Sequence, residues 1–143
     1  MSKILRVPPQ HLQRRHWLLL LSGLPLMAGA QSSESLQSAM RRAEAMRDEA
    51  QRSGDQPYGA VLLRGSEIVG AAPSRVVTAT DPTAHAEMEA LRDAARRLRS
   101  RDLSGCVLVS TSRPCRMCEA AAGWAGISRM VHGVALTDAG PPR

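Results

Sequence analysis

One histidine, one glutamate and two cysteines stand in two short motifs that can do metal chemistry. The first motif is TAHAE at residues 83–87, with His85 and Glu87, and the second is PCRMC at residues 114–118, with Cys115 and Cys118. One imidazole and two thiols supply three ligands for a tetrahedral Zn²⁺ and leave the fourth position to water, as in catalytic zinc sites. Glu87 is then free to move protons. These residue types predict a catalytic zinc centre on His85, Cys115 and Cys118, with Glu87 as the general base and acid.

Each motif alone has other interpretations. A histidine and a glutamate at the start of a helix are common surface residues, and a CxxC pair also occurs in redox dithiol proteins and structural zinc sites. Here the motifs lie about thirty residues apart, each at the predicted start of a helix and with a strand between them. This arrangement favours one shared zinc. The third cysteine, Cys106, lies in an apolar run and is predicted to be a small buried hydrophobic residue.

The elements that position the motifs follow from the pattern of apolar residues. A helix is predicted from Leu36 to about Ser53, followed by a hairpin with strands at residues 58–63 and 67–71. Two further helices are predicted to begin at 81–82 and 112–114, with strands at 105–110 and 129–134. The last strand, helix and strand form a crossover unit, so these two strands should be parallel. The metal ligands would then lie in first helical turns, where the helix dipole favours thiolate and bound hydroxide.

The charge and composition narrow the classes of partner. The chain has 143 residues and a formal charge of +6, with no Phe and 2% aromatic residues, so its core must be aliphatic. Four of the 19 basic residues and none of the 13 acidic residues lie in the first 30 positions, which leaves a formal charge of +2 for the rest. A net charge this small does not indicate nucleic-acid binding, and we expect a small-molecule substrate instead.

Residues 1–30 have the organisation of an export signal. Basic residues Arg14 and Arg15 precede an apolar run of about fourteen residues that ends in an A-x-A pattern at Ala28 and Ala30. The run is interrupted by Gly and Pro and is shorter than the roughly twenty residues that span a bilayer, so we expect cleavage rather than a membrane anchor. The paired arginines are similar to a twin-arginine signal, although ordinary secretion remains open. The predicted location is the periplasm, with a mature domain at 31–143.

Residues 81–88 and 111–118 together resemble the cytidine deaminase superfamily, in particular its guanine, cytosine and tRNA adenosine deaminases. PYGAV at 57–61 and WAGI at 124–127 are similar to the same branch, so the resemblance covers about residues 36–133. It implies an α/β fold with three α/β/α layers and a central mixed sheet. It also implies zinc on His85, Cys115 and Cys118, with Glu87 as proton shuttle. Members are commonly homodimers with subunit contacts near the sites, and we expect a homodimer here.

The same resemblance marks Ser74, Ala60 and Arg113 as candidate substrate-binding residues. The branch usually has an Asn at the position of Ser74, whose hydroxyl is shorter, and a Glu at the position of Arg113. Arg116 replaces a typically neutral residue, and two arginines beside the metal fit either an anionic substrate or a solvated surface. The chain also ends soon after His132, whereas guanine deaminases continue into a segment that closes the pocket. We therefore expect retained chemistry with altered substrate contacts.

The sequence thus predicts a zinc-dependent hydrolase that deaminates a small nucleobase, nucleoside or related heterocyclic amine. The alternatives are a zinc-binding scaffold of the same fold that has lost its substrate, and a tRNA adenosine deaminase. The predicted export signal, the modest charge and the shortage of stacking aromatics disfavour the second. A periplasmic dithiol protein using Cys115 and Cys118 is a further possibility, but it leaves His85 and Glu87 without a role.

Overall fold

A computed structural model of the chain describes residues 32–143. The predicted signal peptide at residues 1–30 lies outside the described residues. Among the helices of residues 32–143, none combines the length and the hydropathy needed to span a bilayer.

The described chain forms helices and strands in the order α1 (Ser33–Arg52), β1 (Gly59–Arg64), β2 (Glu67–Pro73), α2 (Ala86–Leu98), β3 (Cys106–Ser110), α3 (Arg116–Trp124), β4 (Arg129–His132) and β5 (Thr137–Gly140). The first helix begins at the N-cap Ser32, whose side chain accepts a hydrogen bond from the Ser35 amide. The helix α1 and the β1–β2 hairpin confirm the predicted elements. The strand β5 was not predicted, because its sequence TDAG has neither apolar alternation nor β-branched residues beyond Thr137.

The five strands form one mixed sheet in the order β2-β1-β3-β4-β5. Only the central pair β3 and β4 is parallel, with Val107 opposite Arg129 and Ser110 opposite His132, while the other neighbours are antiparallel. The parallel pair confirms the crossover predicted through α3, because a helix between two adjacent strands returns the chain in the same direction.

Helices cover both faces of the sheet. Alternate residues of β1 point to opposite sides: Val61 and Leu63 pack in a cluster with α1, whereas Leu62 packs in a second cluster with α2 and α3. All five residues of β3 are buried, as expected for a strand covered on both faces. The structure therefore has the three α/β/α layers that were predicted, with an aliphatic core.

Two glycines allow the helices to approach the sheet closely. A Cβ at Gly59 would clash with the backbone of α1, and a Cβ at Gly70 would lie 2.7 Å from the carbonyl oxygen of Ala90 in α2. Distances below 3.0 Å are closer than real Cβ atoms come to other heavy atoms. These positions thus fix how α1 and α2 sit on the hairpin.

The predicted starts of the second and third helices are wrong. The helix α2 begins at Ala86 rather than at Pro82, because Asp81 Oδ1 accepts hydrogen bonds from the amide and hydroxyl of Thr83 and closes a turn instead of capping a helix. The helix α3 begins at Arg116, two residues beyond Pro114. Both helices start with an extended N-cap residue, and those residues are His85 and Cys115.

Candidate functional site

The three predicted metal ligands converge at the start of α2 and α3. Cys115 Sγ lies 3.7 Å from Cys118 Sγ, and each sulfur lies 3.8 Å from Nδ1 of His85. His85 and Cys115 are the N-cap residues of α2 and α3, and Cys118 lies in the first turn of α3. Both helix N-termini therefore direct their partial positive charge towards this cluster, which favours thiolate ligands and anionic groups.

These distances fit a tetrahedral zinc. With Zn–S of about 2.3 Å and Zn–N of about 2.0 Å, tetrahedral angles place two sulfurs about 3.8 Å apart and sulfur and nitrogen about 3.5 Å apart. The observed sulfur–sulfur separation of 3.7 Å already matches, and the sulfur–nitrogen separation of 3.8 Å needs only a small contraction. Cys118 is buried, His85 is half-buried and Cys115 is exposed, so the cluster is open on one side. An open side is what distinguishes a catalytic zinc site from a closed structural one.

The electrostatics of the cluster also call for a cation. Burial, followed by the nearby Glu87 carboxylate and Cys115, raises the pKa of the Cys118 thiol. Two thiols and a carboxylate packed this closely repel one another as anions, and a divalent cation among them removes that repulsion. The donor set is thus consistent with a zinc site.

Glu87 is held beside the cluster by a buried hydrogen bond. The carboxylate is only 4% exposed, and Ser110 Oγ donates to its Oε1 at 2.9 Å. Its other oxygen, Oε2, lies 3.7 Å from Cys118 Sγ. Glu87 therefore points one oxygen into the sheet and the other towards the metal cluster, where it can accept or return a proton.

A cavity of about 330 Å³ opens onto this cluster. His85, Cys115 and Glu87 line this cavity, and its other lining residues are Gln56, Tyr58, Ser112 and Arg113. The volume suits a small heterocycle. Tyr58 offers an aromatic ring, while Gln56 and Ser112 offer neutral hydrogen-bonding groups.

Comparison with known protein families supports the family resemblance that the two motifs predict. Residues 33–134 match the family model of the cytidine and deoxycytidylate deaminase zinc-binding region. The chain belongs to this deaminase family. The match covers most of the chain and includes the ligands and Glu87, so the family resemblance predicted from the two motifs is confirmed.

Individual relatives of this deaminase domain differ in substrate. The chain is 41% identical over 78 residues to a tRNA-specific adenosine deaminase of Aquifex aeolicus, covering 54% of this chain and 52% of that protein. It is 37% identical over 83 residues to a guanine deaminase of Bacillus subtilis, covering 58% and 53% respectively. The solved structure of the guanine deaminase from Bacillus subtilis superposes with a TM-score of 0.65 at 33% identity, covering 68% of this chain and 62% of that one. The chain thus spans about half the length of the curated relatives it matches.

The three predicted substrate-binding residues of the deaminase domain lie in different surroundings. Arg113 lines the cavity. Ala60 is fully buried in the core cluster of α2 and α3. Ser74 is 1% exposed and donates to Asp55 Oδ1 at 2.9 Å, in a region that borders a separate surface pocket. A role for Ser74 or Ala60 in binding substrate stays a prediction, and Ser74 already has a hydrogen-bond partner.

Sequence reasoning missed Ser110, Gln56, Tyr58 and Ser112 as site residues. Ser110 is the polar residue that ends the buried run of β3, just before the CxxC motif. A polar residue at the carboxyl end of a central strand is a usable signal, because ligands of open α/β sheets bind at that edge. Gln56 and Tyr58 lie in a turn that only the tertiary structure brings to the cavity, so no spacing rule could have found them.

Proposed function

We propose that the chain is a zinc-dependent hydrolase that deaminates a small nucleobase, nucleoside or related heterocyclic amine. The single observation that supports this most is the buried Glu87 carboxylate beside an open cluster of one imidazole and two thiols. A structural zinc site needs no general base and is closed by a fourth protein ligand. The reaction consumes one water, breaks the bond between the ring carbon and the exocyclic nitrogen, and yields a carbonyl compound and ammonia.

The metal-binding residues, Glu87, Ser110 and two residues of the cavity wall have roles in this mechanism. His85, Cys115 and Cys118 would hold a zinc ion, which when bound would lower the pKa of a water and so supply the nucleophile. Glu87 accepts the proton of the attacking water and delivers a proton to the departing amine, which leaves as ammonia. Ser110 fixes the orientation of the Glu87 carboxylate during both transfers. Tyr58 and Gln56 hold the ring of the substrate in the cavity and exclude bulk water.

An ammonia-release screen on zinc-loaded protein tests the proposal. We expect release from at least one heterocyclic amine, and we expect Glu87→Ala to lower kcat by about 100-fold or more while zinc content stays unchanged. The zinc measurement separates loss of proton transfer from loss of the metal site. Zinc-loaded protein that releases no ammonia across cytosine, guanine, adenine, their nucleosides and pterins would support the scaffold alternative instead.

Deamination of adenosine in tRNA is the second candidate, and the identity with the tRNA-specific adenosine deaminase of Aquifex aeolicus favours it. The near-neutral charge of residues 31–143 argues against it, because a tRNA backbone calls for a basic surface. Including unmodified tRNA in the screen decides between them. Inosine formation in tRNA, with no release from free bases or nucleosides, would establish the second candidate.

We also propose that the protein is exported and acts as a homodimer. Export rests on the leader at residues 1–30, and expression of the full chain with a periplasmic fractionation checks it. The dimer is supported by Trp124, which ends α3 with 90% of its surface exposed. Trp is one of the residue types that are enriched at protein–protein interfaces. Light scattering should give a dimer for the mature chain and a smaller species for Trp124→Glu.

A further inference from the structure

Arg113 is the cationic side chain of the cavity, and it has no anionic partner there. Among the lining residues, Glu87 carries a carboxyl group and Arg113 carries a guanidinium. Glu87 is 4% exposed, accepts a hydrogen bond from Ser110 and directs its second oxygen towards Cys118, so both of its oxygens already have neighbours within the protein. Arg113 is exposed. The lining residues Gln56, Tyr58 and Ser112 are uncharged.

Some other arginines of residues 32–143 have anionic partners, and Arg113 does not. Arg92 and Arg97 pair with acidic residues one turn away on α2, and Arg129 pairs with Asp138 across two strands. Within the same part of the chain, the Arg113 guanidinium makes neither an ion pair nor a side-chain hydrogen bond. Arg116 is also exposed and lies on the other side of Cys115, but it does not line the cavity. The two arginines noted in the sequence are therefore not equivalent.

We propose that Arg113 binds an oxyanion carried by the substrate, so that the enzyme acts on heterocyclic amines that bear a carboxylate or phosphate group. This inference rests on the proposed deaminase function and names its substrate class. The planar guanidinium matches either anion with two parallel hydrogen bonds. With the reacting amine at Glu87 and the anion at Arg113, both of which line the same cavity of about 330 Å³, the substrate is held at two points.

Matched pairs of amines test the inference. The pairs are cytidine with cytidine 5′-monophosphate, and pterin with pterin-6-carboxylate, so that the two arms distinguish phosphate from carboxylate. For zinc-loaded protein we expect the anionic member of at least one pair to have a kcat/KM about 10- to 100-fold higher. Arg113→Gln should remove this preference through KM, and the matched control Arg116→Gln should retain it. A preference that survives Arg113→Gln, or equal turnover of both members, would overturn the inference.

Binding calorimetry tests anion binding by Arg113 independently of the proposed deaminase activity. Zinc-loaded Glu87→Ala protein cannot turn the ligands over, so its dissociation constants report binding alone. We expect the anionic member of one pair to bind about 10- to 100-fold more tightly, with the difference lost in the Glu87→Ala, Arg113→Gln double variant. If no amine is deaminated but this difference is present, the function fails and the anion site stands. If anionic and neutral members bind alike, the anion site fails whatever the turnover.

Discussion

The Ser110 hydroxyl donates a 2.9 Å hydrogen bond to Glu87 Oε1, and neither side chain is more than 4% exposed. Ser110 ends β3, so its position is set by pairing with Ala60 in β1 and His132 in β4. The central strand of the sheet thereby orients Glu87, the proposed general base, which itself lies in the first turn of α2. This contact joins the buried core to the group that we propose moves protons.

Removing this hydroxyl should slow the chemical step without emptying the metal site. A hydrogen bond to a charged group contributes about 1.5–3 kcal/mol, so Ser110→Ala should lower kcat by about 10- to 100-fold. Ser110→Thr keeps the hydroxyl and should retain most of the activity. Steady-state kinetics with zinc analysis of each variant measures both effects. A merely structural role for Ser110 would be indicated if Ala and Thr variants lost activity equally, or if zinc content fell with kcat.

Removing zinc should make the Cys115 thiol available to a thiol reagent. We expect about one zinc per chain, and in that form Cys115 should react slowly. Addition of a strong chelator should make the exposed Cys115 reactive and lower the melting temperature, because the metal binds the folded state. Cys106 and Cys118 are fully buried and should stay unreactive while the protein is folded, so Cys106→Ser should leave the reactivity unchanged and serves as the control. A Cys115 thiol that reacts rapidly before chelation would argue for a dithiol protein instead.

Most of the fold and the clustering of the predicted metal ligands could be predicted, because both depend on local sequence patterns. The helix α1 and the strand β3 have strong apolar patterns, and the ligands lie in two short motifs of fixed spacing. The start of α2 was mispredicted because the Asp81 carboxylate accepts a hydrogen bond from the Thr83 amide, and a sequence pattern cannot tell an N-cap from such a turn. The substrate cavity was largely missed, since Tyr58 and Ser112 meet only through pairing of β1 with β3.

Asp55 is a second buried carboxylate, and its loss should destabilise the protein in a pH-dependent way. Although burial raises its pKa, hydrogen bonds from the amide and hydroxyl of Thr78, the Gln56 amide and the Ser74 hydroxyl outweigh burial and lower the pKa from 3.8 to about 2. Because the folded pKa is below the unfolded one, this stabilisation is present above pH 3.8 and is lost as the pH falls towards 2. Asp55→Asn should therefore cost about 2 kcal/mol near neutral pH.

Urea unfolding of wild type and Asp55→Asn across this pH range measures the effect. The gap between their free energies of unfolding should be constant from pH 7 to about 5 and shrink below about pH 4. Asp138→Asn is the comparison, since Asp138 also has a lowered pKa, set first by its bond to the Gly140 amide, but its side chain is half exposed. A smaller loss of stability in Asp138→Asn would show that the stabilisation by Asp55 depends on its burial and its hydrogen bonds. A difference in the free energy of unfolding that does not depend on pH would contradict a stabilising role of the ionised Asp55 carboxylate.

Because Gly59 lies so close to α1, we expect the methyl group added by Gly59→Ala to lower the stability of the protein and to distort the cavity. A Cβ at Gly59 would clash with the α1 backbone, so Gly59→Ala should destabilise by about 1–3 kcal/mol. Gly59 follows the cavity residue Tyr58 and donates its amide to Thr111 Oγ1, so the displacement should also raise KM. Gly123→Ala is the control: its Cβ would meet only Pro142 at 3.6 Å, and alanine favours the helix by about 0.5–1 kcal/mol. Thermal unfolding and kinetics of both variants check this, and equal stability of the two would refute close packing of α1 on β1.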